Sequence, residues 1–107
     1  MNKYHAQKVE VDGIVFDSRR EANRWQELKL LERAGKISKL RRQEEFELIP
    51  RCGIERAAKY HADFSYIDEA TGVKVVEDVK SKATKTRDYI LRRKLMNWRY
   101  CIQIKEV

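Results

Sequence analysis

Two carboxylates and an amine stand in neighbouring apolar stretches. Asp63 lies within Tyr60-His-Ala-Asp-Phe-Ser-Tyr66, and Asp78 and Lys80 close Val73-Lys-Val-Val-Glu-Asp-Val-Lys80. Side chains alternate across a strand, so Asp78 and Lys80 share a face, Val79 turns to the core and Glu77 projects the other way. A β-bulge would bring Glu77 into play as an accessory carboxylate. Gly72, following Asp68-Glu-Ala-Thr71, predicts a hairpin connection that sets Asp63 beside Asp78. Like charges held together are unstable without a cation, and hard oxygen ligands suit Mg2+, with Mn2+ able to substitute. Such a pair with its ion neutralises phosphate charge and acidifies a water, while a nearby lysine orients that water. The predicted chemistry is hydrolysis at phosphorus. The plain alternatives are an edge-strand aspartate facing solvent and a surface ion pair of little energetic value.

The elements that must position these groups are readable in outline. Val9-Glu-Val11 and Ile14-Val-Phe16 alternate around Asp12-Gly13, which predicts a tight hairpin. Ser18-Arg-Arg-Glu21 has the capping-box pattern, and Ala22, Trp25, Leu28, Leu31 and Ala34 follow at helical spacing up to Gly35. Ile37 to Leu40 reads as a short connection. Glu45 to Ile49 alternates as a strand before Pro50, and Arg51 to Lys59 reads as a loop. Tyr60–Tyr66 and Val73–Lys80 are the next strands. A basic loop from Ser81 leads to a helix capped by Thr86 or Asp88, with Tyr89, Leu91, Leu95, Met96 and Trp98 as apolar anchors. Trp25, Tyr89, Trp98 and Tyr100 are expected in the core, and Cys101–Ile104 as a last strand. Residues 1–107 thus read as a single domain of the α/β (α+β) class, a mixed sheet with two helices against it.

Composition narrows the partners. The 107 residues carry a formal net charge of +7, and the excess is concentrated after residue 80. There Lys82, Lys85, Arg87, Arg92, Arg93, Lys94, Arg99 and Lys105 face only Asp88 and Glu106. A basic surface beginning beside an acidic cluster is the footprint expected for a polyanion. Lys82, Lys85, Arg87, Arg92 and Arg93 are the candidates for backbone phosphates. No long apolar run exists, which argues against a membrane partner, and Met1-Asn-Lys-Tyr-His lacks a secretory apolar segment. Cys52 and Cys101 are too few for a disulfide framework and lack zinc-site spacing. A soluble cytoplasmic protein is expected.

Ala62-Asp63 followed by Glu77-Asp78-Val79-Lys80 resembles the PD-(D/E)xK nuclease superfamily. Phe16-Asp-Ser-Arg-Arg-Glu-Ala, Gln43-Glu-Glu-Phe-Glu-Leu, Tyr60-His-Ala-Asp-Phe and Val76-Glu-Asp-Val-Lys80 are similar to small phage and prophage proteins of that superfamily, a family with a domain of formally unknown function. The likeness spans about Tyr4 to Val107. It implies a restriction-endonuclease-like core and Mg2+-dependent DNA cleavage, with branched structures such as Holliday junctions as expected substrates, inside a bacterial host. Asp63 and Asp78 match the metal ligands and Lys80 the catalytic lysine. Glu21 matches a helix glutamate that joins the metal site in several branches, and Gln43 a glutamine near it. Ala62 stands where the motif has proline, a departure that weakens the motif more than the chemistry. His61, on the face of Asp63, is a further accessory candidate. Cutting two strands needs two sites, so a homodimer is expected. The competing class is a non-catalytic DNA- or RNA-binding module.

Overall fold

The computed structural model describes residues 7–80 and 85–107. β1 (Val9–Val11) and β2 (Ile14–Phe16) form the N-terminal hairpin, with Val11 paired to Ile14. Asp12 and Gly13 both take positive φ, the two-residue turn whose twist matches antiparallel strands. Ser18 caps α1 (Arg19–Arg33) by accepting the Glu21 N–H at 3.1 Å. The helix closes on Gly35, and the Lys36 N–H returns to the Leu31 carbonyl at 2.9 Å. Ala22, Trp25 and Leu28 are buried, but Leu31, expected on the same stripe, is exposed.

The segment read as a connection is a strand. β3 (Ile37–Arg42) pairs antiparallel with β6 (Phe64–Asp68). A register shift between Ser38 and Arg41, with Lys39 at φ 53, breaks the alternation that would have identified it. β4 (Glu45–Ile49) pairs with β5 (Ala58–His61), which takes the end of the expected loop. The stretch from Tyr60 to Tyr66 is therefore two strands: the chain leaves β4 at Ala62 and joins a different sheet at Phe64. β6 pairs antiparallel with β7 (Lys74–Asp78), and β7 pairs in parallel with β8 (Lys105–Glu106). The main sheet thus runs β3-β6-β7-β8. This is a mixed α+β fold preceded by a hairpin.

α2 (Arg87–Tyr100) starts at Thr86, whose side chain accepts the Tyr89 N–H at 3.1 Å. It ends on Cys101 in the left-handed region, so the last strand begins at Lys105 rather than Cys101. α2 buries only Tyr89 and Met96 fully, seven residues apart. Leu91 and Trp98 lie half a turn round at 100° per residue and stay exposed, Trp98 by 76%. Trp98 is not a core residue. Tyr100 packs edge-on against Phe46 with centroids 5.6 Å apart while its hydroxyl reaches the Glu47 carbonyl.

The sheet separates two apolar cores. Phe16, Ala22, Trp25, Leu28, Ile37, Phe64 and Tyr66 gather on the α1 side, joined by Val75 and Val79. Phe46, Leu48, Tyr60, Ala62, Val76, Tyr89, Met96 and Ile104 gather on the α2 side. β7 feeds both by strict alternation, and that alternation decides where each carboxylate goes.

Candidate active site

Phe64 pairs with Glu77, so extending the antiparallel register by one residue sets Asp63 opposite Asp78. Both side chains face α2. A cavity of about 800 Å3 opens there, and Glu21, Asp63, Asp78 and Lys80 all line it, with Asp17, His61 and Arg92 on its walls. The carboxylates are anchored by different donors. Asp63 Oδ2 accepts the Val79 N–H at 2.7 Å. Asp78 Oδ2 accepts the Tyr60 hydroxyl at 2.6 Å, and its Oδ1 stands 3.4 Å from Lys80 Nζ. The Lys80 ammonium also sits 4.4 Å from the centre of the Tyr89 ring, a cation–π contact that fixes its stem.

The acids crowd one another. Burial, and then the charges of Asp78 and Glu21, push the Asp63 carboxyl up to about 7 against the opposing Val79 N–H. Burial likewise raises Glu21, with Asp17 and Asp78 adding to the effect and Arg42 opposing it. Burial and the Asp78 hydrogen bond raise the Tyr60 hydroxyl far above its ordinary range, so it stays a donor. The Glu21 backbone is capped by Ser18, but its carboxylate makes no hydrogen bond among the described residues and faces the cavity instead. Among the described residues no three acidic, histidine or cysteine side chains form a ready metal-binding group. Asp63 and Asp78 face each other across the strand pair, and Glu21 is a third carboxylate lining the same cavity.

The accessory candidates separate. Glu77 turns to the α1 side, fully buried, where Arg24 Nε and Nη2 donate to it at 2.8 and 2.6 Å and the Tyr66 hydroxyl donates as well. β7 has no bulge there, so Glu77 stays out of the cavity. Gln43 is exposed at φ 55, gives its N–H to the Asp63 carbonyl at 3.4 Å, and does not line the cavity. His61 does line it and lies 3.2 Å from Glu45 Oε1.

The basic candidates are mostly engaged. Lys85 and Arg93 pair with Glu106 at 3.0 and 2.9 Å. Arg92 pairs with Asp88 and gives its Nε–H to the Lys59 carbonyl at 2.9 Å. Arg87 is exposed at the start of α2, and Lys82 lies outside the described residues.

Tyr60, Tyr89 and Glu106 are the positioning residues that sequence reasoning missed. Tyr89 O–H donates to Glu106 at 2.7 Å, and that hydrogen bond, with Lys85 and Arg93, holds the Glu106 carboxyl down at about 2. Two signals were present. A buried tyrosine needs a partner for its hydroxyl, and Glu106 is the one acid after Asp88 in a basic segment.

No curated protein and no solved structure gives a significant match to this chain. Residues 1–106 match the family described as "Protein of unknown function (DUF1064)", and the chain belongs to that family.

Proposed function

We propose that this protein is a Mg2+-dependent endodeoxyribonuclease of the PD-(D/E)xK superfamily, with a restriction-endonuclease-like core, that hydrolyses DNA phosphodiesters as a homodimer in the bacterial cytoplasm. Branched DNA such as a Holliday junction is the preferred substrate, and Mn2+ replaces Mg2+. The observation that carries this reading is the convergence of Asp63, Asp78 and Lys80, with Glu21, on one cavity.

The donors fit a hard cation. They are all oxygen, and the raised Asp63 carboxyl marks an excess of negative charge that a divalent ion relieves. Asp63 and Asp78 would hold the ion, with Glu21 as third carboxylate. The chemistry such an ion supplies is charge neutralisation on the phosphate and a more acidic water. The chain does the positioning. Val79 N–H fixes Oδ2 of Asp63, while the Tyr60 hydroxyl fixes Oδ2 of Asp78 and the Lys80 ammonium stands beside its Oδ1. The Lys80 ammonium, seated against Tyr89, orients the attacking water and offsets charge developing on the phosphate.

One observation favours a second reading, a nucleic-acid-binding module without cleavage. Tyr60 and Lys80 already offset the Asp78 charge, and no three-ligand group is assembled among the described residues. Incubation with branched, duplex and single-stranded DNA in Mg2+, Mn2+ or chelator separates the two. Metal-dependent cuts that fall at least about 1,000-fold in Asp78→Ala and Lys80→Ala, with binding kept, support the nuclease. Binding without cuts in either metal supports the module.

A further inference from the structure

The first two turns of α1 are divided between two hollows. Ser18 and Glu21 line the acidic cavity, whereas Arg19, Arg20, Asn23 and Arg24 line a separate cleft of about 500 Å3. Val79 lines both hollows, which places them as neighbours near the end of β7. Val107 joins Val79 as apolar lining.

Charge in this cleft is uneven. Arg24 is committed to Glu77 through Nε and Nη2 and to Glu27 through Nη1. Glu27, which also lines the cleft, and Glu77 both pair with Arg24 and with neither Arg19 nor Arg20. Arg19 and Arg20 are exposed and make no ion pair among the described residues. Guanidinium forks match phosphate oxygens in a bidentate way, and the start of a helix adds free N–H groups and a favourable dipole. Apolar lining beside such cations suits the sugar of a nucleotide. Three of the residues expected to grip phosphates on sequence grounds, Lys85, Arg92 and Arg93, are paired with acids instead.

We infer that the α1 cleft is a phosphate-binding subsite for the DNA backbone, with Arg19 and Arg20 gripping the phosphates next to the one placed in the acidic cavity. This rests on the nuclease reading for its alignment with a scissile phosphate, but the binding itself requires neither metal nor cleavage. The test is fluorescence anisotropy on labelled branched and duplex DNA in chelator, across a salt series. Arg19→Ala/Arg20→Ala is compared with Arg33→Ala/Lys36→Ala, which removes equal charge around the far end of α1.

The cleft variant should bind about tenfold or more weakly, with a salt slope lower by about two, while the control stays near wild type. Binding within twofold of wild type, equal loss in the control, or no DNA binding by the wild type overturns the inference. The two proposals fail separately. A wild type that binds through Arg19 and Arg20 but cuts nothing in Mg2+ or Mn2+ sinks the nuclease and leaves the cleft. Cuts that need Asp78, with binding indifferent to both arginines, do the reverse.

Discussion

Glu77 and Asp78 are adjacent, both buried, and live in opposite electrostatic worlds. Glu77 faces α1, where a two-pronged arginine and a tyrosine hydroxyl satisfy it. Asp78 faces α2, where one hydroxyl and one ammonium stand against a second aspartate and a glutamate. A saturated carboxylate holds a fold together. An under-compensated cluster stores a demand for positive charge, and such places are where proteins do chemistry.

The contrast can be broken most violently from the satisfied side. Arg24→Met strands Glu77 without a countercharge and should cost about 3–5 kcal/mol in urea unfolding. Arg24→Met/Glu77→Gln should recover most of that loss. A single variant less than about 1 kcal/mol down would show that the pair carries little weight.

From the other side the comparison is sharpened by pH. Asp63 has its carboxyl pushed up to about 7 from an ordinary value of 3.8, so the folded state keeps a proton that the unfolded state releases. Stability from this group is therefore complete below about pH 4 and is lost as pH rises through about 7. Asp63→Asn should flatten that slope, measured as the urea midpoint against pH. Saturating Mg2+ should raise the wild-type midpoint at pH 8 and leave Asp63→Asn/Asp78→Asn unmoved.

The smallest effect compares the two hydroxyls. Tyr66→Phe and Tyr60→Phe should each cost about 1–2 kcal/mol in stability. Only Tyr60→Phe should slow cleavage, by about tenfold. Equal slowing in both would mean that the Glu77 network shapes the acidic cavity.

How much of this was legible depends on the range over which each feature is decided. Asp12-Gly13 and Ser18 act within a few residues, and both behave as their types predict. The pairing of Asp63 with Asp78 followed from a hairpin of fixed register. β3 escaped because Lys39 breaks its alternation, and the change of partners at Ala62 escaped because Tyr60–Tyr66 contains neither glycine nor proline. Cys101 ends α2 in a conformation that glycine normally takes, which displaced β8. Arg24 meeting Glu77 across 53 residues is a tertiary fact with no local trace. Trp98 shows the limit of composition: its type says core, and its place on the helix says otherwise.

β8 lies parallel to β7, and parallel neighbours demand a long crossover, which here is α2. Val107 N–H reaches the Asp78 carbonyl at 3.0 Å, and Lys80 N–H reaches the Val107 carbonyl at 3.2 Å. The backbone on either side of the lysine-bearing turn is thus buckled by residues made long after it. A nascent chain emerging from the ribosome carries the acids well before it carries the buckle. The end of β7 that carries Asp78 and Lys80 is fastened only once Val107 has docked beside it.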